Sequence, residues 1–271
     1  MTNRKNWKLA LSVGPSEIKP ESMTKLAKEG ITEIELSCGS LAPFFDEFDY
    51  PHRSVELSRL AEENGVRISS VHLPFAPFGQ IDPASLDEKV REYVVKVQSE
   101  LIRAAGAAGV GIAVIHPSGE PYREDERDVR LAASREVIAR LTDVATSAGM
   151  TLALENIPRT CLCRTHDEMC GYLEQIPDLR VCFDTNHCLL EDNCDYIRAV
   201  GDRIVTLHVS DYDFTDEKHW LPGVGKNDWE RILSTLEEVG YNGRFLYETG
   251  SVGKCNEIAA NHKMLMKLDR I

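Results

Sequence analysis

No uncharged apolar run in this 271-residue sequence is long enough to span a membrane; the longest, over 104–115, is broken by three glycines. Arg4 and Lys5 are followed only by a short apolar stretch over 9–13, too little for a secretory leader. Eight irregularly spaced cysteines are too few for a disulfide framework in a chain of this length, so free thiols in a reducing cytoplasm are expected. Basic residues are scarce beside acidic ones, 31 against 44, for a net charge of -13. Such a surface repels nucleic acid and anionic lipid on average, which argues against both as partners. No linker, low-complexity tract or charge block divides the chain, so a single domain over 1–271 is expected. A glycine-rich dinucleotide fingerprint is missing as well: Gly223-Val224-Gly225 precedes a helical segment, but no strand leads directly into it.

What the sequence does contain is a strict alternation of two patterns, with 42% hydrophobic residues to fill a large core. Apolar runs over 9–13, 34–37, 66–71 and 112–115 read as strands. Helical spacing follows each of them, over 20–30, 54–63 and 85–108, and then through Leu131, Val137, Leu141 and Val144. Glycines at 30, 65, 109 and 149 close these helices. The segment over 73–83 holds three prolines and is expected to be a loop over one end of the fold. Four more strands follow, at 152–155, 181–184, 204–208 and 245–248, with helices at 166–173, 195–200, 228–239 and 256–268. Their apolar residues run continuously rather than alternately, as in parallel strands covered on both faces. Eight βα repeats in this length predict an α/β fold, a closed (β/α)8 TIM barrel.

The last four strands end on Glu155, Asp184, His208 and Glu248. A parallel barrel places its active site at the C-terminal ends of the strands, so these four would converge. Two glutamates, an aspartate and a histidine make a hard, oxygen-rich set suited to Mg, Mn, Co or Zn with positions left open. His72 and His116 end the third and fourth strands on the same rim, where they would bind substrate hydroxyls or further metal, or serve structure alone. His187, three residues after Asp184, reads as a substrate contact or a group backing the ligands. Residues 211–229 carry five acidic residues, His219 and the run Pro222-Gly223-Val224-Gly225. Four of the five acidic residues, like His219, precede Pro222, and the segment reads as a loop folding over a ligand, with His219 turned to the site. Cys161, Cys163 and Cys170 fit no common zinc spacing and read as packing residues.

Leu154-Glu155-Asn156, Phe183-Asp184-Thr185-Asn186-His187, Leu207-His208-Val209-Ser210-Asp211, the stretch from His219 to Asp228-Trp229, and Tyr247-Glu248 resemble the xylose isomerase-like barrel superfamily. Within it the chain is similar to the sugar phosphate isomerase/epimerase group, and Val71-His72-Leu73-Pro74-Phe75 and Ile115-His116-Pro117 match as well. The resemblance implies one divalent metal ion held by Glu155, Asp184, His208 and Glu248, with Glu155 and Glu248 also acting as acid and base. The implied reaction moves a proton at carbon next to a carbonyl of a small sugar or polyol ketone, through an enediolate. A cation stabilises that charge and a carboxylate near the carbon takes the proton. His72, His116, His187 and His219 are the candidate substrate-binding residues.

Other readings stay open on the same scaffold. A hydrolase resembling endonuclease IV would use a three-metal cluster, and His72, His116, Glu155, Asp184, His187, His208, Glu217, His219 and Glu248 nearly complete its ligand set. A lyase or dehydratase, or a sugar-binding barrel without activity, would keep the same shape. Loops around Ser16, 38–48 and 75–80 are expected to read the far end of the substrate. Arg159 and Arg164 read either as binders of a phosphate or carboxylate or as surface residues, and a homo-oligomer is allowed by the sequence rather than dictated by it.

Overall fold

The computed structural model describes residues 3–40 and 50–267. The expected loop around Pro43, which is most of the stretch over 38–48, lies outside the described residues, as does the final residue of the last predicted helix, Leu268.

Eight strands alternate with eight helices among the described residues. The strands are β1 (Lys8–Val13), β2 (Glu33–Ser37), β3 (Arg67–His72), β4 (Ile112–Ile115), β5 (Thr151–Glu155), β6 (Arg180–Asp184), β7 (Ile204–His208) and β8 (Arg244–Tyr247). The helices are α1 (Pro20–Lys28), α2 (Tyr50–Glu63), α3 (Glu88–Ala107), α4 (Arg127–Ser147), α5 (His166–Gln175), α6 (Asn193–Val200), α7 (Trp229–Glu238) and α8 (Cys255–Leu265). All strands run parallel in the order β7-β6-β5-β4-β3-β2-β1-β8. Just past the end of β7, Val209 bridges to Tyr247 of β8 and brings the two ends of the sheet together.

Element boundaries follow capping chemistry more closely than hydrophobic spacing. α3 starts at Glu88 rather than at 85 because the Asp87 carboxylate accepts the Lys89 N–H, as an N-cap does. Asp192 and Asp228 cap α6 and α7 in the same way. α2 starts earlier than 54 and takes in Pro51, whose missing N–H has no helical partner in a first turn. Gly109 and Gly149 leave the two longest helices at φ +83° and +70°, a region that costs glycine little. That lets Val110 and Met150 donate back to Ala105 and Ala145 as the next strand begins.

Two kinds of interior result. Outward-facing strand residues such as Ala113, Ile115, Leu152, Leu154, Val181, Phe183 and Leu207 pack with the helices in one large apolar cluster. Their neighbours point into the barrel, where a small separate cluster of Ile112, Val114, Ala153 and Cys182 lies against Val205. The N-terminal end of the barrel is closed by ions: Glu33 accepts Lys8 Nζ at 2.6 Å and pairs with Arg244. Polar chemistry is left to the opposite end. Among the described residues no helix is long and apolar enough to cross a membrane.

Candidate metal centre

Glu155, Asp184 and His208 are the last residues of β5, β6 and β7, while Glu248 lies one residue past β8. Glu248 is fixed there by its N–H, which donates to the carbonyl of Val209. One ligand atom from each of the four falls within 4.8 Å of the others. The first three are buried, whereas the Glu248 side chain keeps 25% of its surface open to the cavity. β5 and β6 are locked in register at this rim by Asn156, which donates to the Asp184 carbonyl and accepts the Asp184 N–H.

Hydrogen bonding within the cluster fits a cation. Asp184 Oδ1 accepts the Asn186 N–H at 2.5 Å, but the buried Oδ2 has no hydrogen-bond partner. His208 presents Nδ1 to Glu155 Oε1 and Nε2 to Glu35 Oε1, both at 2.9 Å. A neutral imidazole carries one N–H, so two carboxyl groups facing its two nitrogens call for an imidazolium, a proton on one carboxyl group, or a metal ion on one side. With Nε2–H donated to Glu35, the Nδ1 lone pair faces Asp184, Glu155 and Glu248, the arrangement of a metal-binding histidine oriented by a carboxylate behind it. Without a cation, burial favours neutral His208 but is outweighed by Cys182, Glu155, Glu248 and Glu35, which hold the imidazolium well above its usual pKa. Burial and the neighbouring Glu248 and Glu155 push Asp184 well above the carboxylate range. Glu155, although buried, is held well below it by His208, His116 and His72.

The other predicted histidines surround the same point. His72 Nε2 lies 3.0 Å and His116 Nε2 3.4 Å from Glu155 Oε2. His187 donates Nδ1–H to the carbonyl of Asn156 at 2.7 Å, and burial keeps the ring neutral, its pKa pushed down to about 3. Its Nε2 is 3.6 Å from Asp184 Oδ2 and 3.4 Å from Glu217 Oε1. His219 reaches the site from the loop after β7, with Nδ1 at 3.1 Å from the Glu248 carbonyl. Asp211 builds that loop: its carboxylate accepts the N–H groups of Tyr212, Gly223 and Asn227 and the Trp229 indole. Gly225 permits this close packing, because a Cβ there would come within 2.3 Å of Asp211 Oδ1 and of the Tyr212 carbonyl. His187, Glu217 and His219 form a second group of potential ligands, and His72, Glu155 and His208 a third.

A cavity of about 140 Å³ opens over these groups, walled by Phe75, Phe78 and Ile157 among others. Arg159 lines it, but its guanidinium pairs with Glu120, Asp216 and Glu217; Arg164 pairs with Glu124. Cys161 and Cys170 turn to different carbonyls, Gly119 and Ala199, in keeping with packing rather than a shared metal. All eight cysteines are free. The residue that spacing did not single out is Glu35, in the middle of β2, fully buried and accepting from both His208 and Ser70 Oγ. Its signal was the alternation Glu33-Ile34-Glu35-Leu36, which puts two carboxylates on one face of a strand that is covered on both sides.

Known proteins share this architecture. A ketose 3-epimerase of Arthrobacter globiformis is 26% identical, over 85% of this chain and 77% of its own length. An L-ribulose-5-phosphate 3-epimerase, UlaE, of Salmonella heidelberg is 28% identical, over 83% of this chain and 80% of its own. The crystal structure of a D-tagatose 3-epimerase-like protein superposes with a TM-score of 0.77 at 23% identity, covering 94% of this chain and 97% of that one. The family model for the xylose isomerase-like TIM barrel matches residues 23–268, nearly the whole of the eight βα units, and the chain belongs to that family.

Proposed function

We propose that this protein is a divalent-metal-dependent isomerase or epimerase of small sugars or polyol ketones. The observation that carries the reading is the pairing of Glu155 and Glu248. Both contribute to one four-residue ligand cluster, and both line a cavity of about 140 Å³, suited to a small polyol rather than to a polymer. Similarity to two 3-epimerases supports it. Glu155, Asp184, His208 and Glu248 would hold a divalent cation, whose positive charge would stabilise an enediolate formed when a proton leaves carbon next to a carbonyl.

The chain's own groups do the rest. Glu155 stands at the end of β5 and Glu248 beyond β8, three strands apart around the mouth, so that the carbon next to the ketone would lie between two carboxylates. Removal of the proton by one and return by the other inverts the carbon; return to the neighbouring carbon exchanges aldose and ketose. His72, His116, His187 and His219 orient hydroxyl groups, and Phe75 and Phe78 keep bulk water from the reacting carbon. Proton exchange from ketoses and aldoses in deuterated water, with Mn, Co, Mg or Zn added, tests the reading. Glu248→Gln is expected to keep the fold and to lower exchange by about 10²–10⁴-fold. A Gln variant as active as the parent removes Glu248 from the chemistry.

A second reading is a multi-metal hydrolase of the endonuclease IV type. It is favoured by the second group, His187, Glu217 and His219, adjoining the first. The net charge of -13 opposes a nucleic-acid substrate. Metal analysis separates the two: one ion per chain supports the isomerase, three support the hydrolase.

A further inference from the structure

Beside the four-ligand cluster stands the second group, His187, Glu217 and His219, whose ligand atoms also fall within 4.8 Å of one another. Part of it suits a cation. His187 gives its Nδ1–H to the Asn156 carbonyl, which leaves the Nε2 lone pair facing Glu217 Oε1 at 3.4 Å and Asp184 Oδ2 at 3.6 Å. A lone pair beside two carboxyl oxygens gains from a positive charge among them.

A positive charge is already there, and it belongs to the chain. Arg159, in the loop after β5, lines the same cavity and brings Nη1 to 3.2 Å from Glu217 Oε1, the oxygen that faces His187. Three carboxylates fix the guanidinium in place. Nε and Nη2 both donate to Glu120 in the loop after β4, Nη2 at 2.6 Å, and Nη1 donates to Asp216 Oδ1 at 3.0 Å. The backbone of Arg159 lies at φ +55°, a left-handed conformation unfavourable to a residue with a Cβ, so these pairs hold it against strain.

The charge of Glu217 is thereby shared with a planar cation that cannot lose its proton. An ion on the same oxygen would stand beside a like charge in a half-buried site, where repulsion is only partly screened. The first cluster is spared this conflict. Glu155, Asp184 and Glu248 have histidines as their close basic neighbours, and an imidazole can turn a lone pair to an ion whereas a guanidinium has none to offer.

We infer that Arg159 is the resident cation of the second group and keeps a divalent ion out of it. The proposed isomerase, which the inference deepens and on which it rests for the ion of the first cluster, would thus stay a single-ion enzyme despite carrying most of the ligands of a multi-metal one.

The test counts bound manganese, a hard ion that prefers these oxygen and imidazole groups to the eight free thiols. Metal-free protein is titrated with Mn²⁺ at neutral pH, and the unbound ion is measured by electron paramagnetic resonance. Arg159→Met is expected to bind one ion more per chain than the parent, and Glu217→Gln added to it is expected to remove the gain. Glu217→Gln alone is expected to leave the count of the parent unchanged, which keeps the inference open to refutation if Arg159→Met does not fold. No gain in Arg159→Met, or an ion lost from the parent through Glu217→Gln, overturns the inference. A gain that survives Glu217→Gln overturns it too, since the added ion would then sit on Glu120 and Asp216. A parent that binds no ion, alongside a gain in Arg159→Met that Glu217→Gln abolishes, counts against the proposed function and leaves the role of Arg159 standing.

Discussion

Glu35 offers the sharpest test of the candidate metal centre, because it hydrogen-bonds to only one of the four candidate ligands, His208. Its Oε1 accepts His208 Nε2–H at 2.9 Å and its Oε2 accepts Ser70 Oγ at 2.9 Å, in an interior without solvent. Burial opposes its charge, but His208, His72 and Ser70 outweigh that cost and keep it a carboxylate. An anion behind the ring makes Nδ1 a better donor and fixes which nitrogen carries the proton. Glu35→Gln keeps the shape and removes the charge; Glu35→Leu also leaves the Nε2–H without an acceptor in a dry environment. Partners of this kind are worth roughly 10–100-fold in metal affinity, or about 1.4–2.7 kcal/mol. The expected order of affinity is therefore parent, then Gln, then Leu, with the Leu variant near the 100-fold end and less stable by about 1–3 kcal/mol. Competition with a fluorescent chelator measures the dissociation constants, and the visible spectrum of bound cobalt reports the geometry independently. Both variants binding metal within twofold of the parent would refute the reasoning, since His208 would then need nothing behind it.

Asp211→Ala strips four donors of their acceptor in the loop that carries Glu217 and His219; it is expected to cost at least about 2 kcal/mol and to expose the segment around Lys218 to limited proteolysis. His262 on α8 packs on Phe245 and Tyr247, and burial lowers its pKa to about 4. The unfolded chain takes up that proton near pH 6.5, so stability is expected to fall between about pH 6.5 and 4 by up to about 3 kcal/mol. In melting curves His262→Phe should flatten that part of the pH dependence, and an unchanged profile would show that another group causes it.

The barrel was legible because its strands end where apolar runs end and its helices stop at glycines, two signals that depend on neighbours in sequence. Glu155, Asp184, His208 and Glu248 could be found for the same reason, since each closes such a run. His187 and His219 were placed near the site by motif and are there, 3.6 Å from Asp184 and 3.1 Å from the Glu248 carbonyl. Glu35 was hidden because its partner is 173 residues away and its strand alternates as if one face met water. Arg159 could not be resolved by sequence either: the three carboxylates that claim it come from two separate loops. Helix starts shifted wherever an aspartate cap or an early proline overrode the apolar spacing, as at Asp87 and Pro51.

The order of the sheet has one more implication. Seven of the eight junctions between strands are ladders of several residues, whereas β7 and β8 meet through the single bridge of Val209 with Tyr247. The two sides of that seam carry His208 and Glu248. An ion gripped by both would rivet the weakest joint of the cylinder, so that loading the metal and finishing the wall become one event.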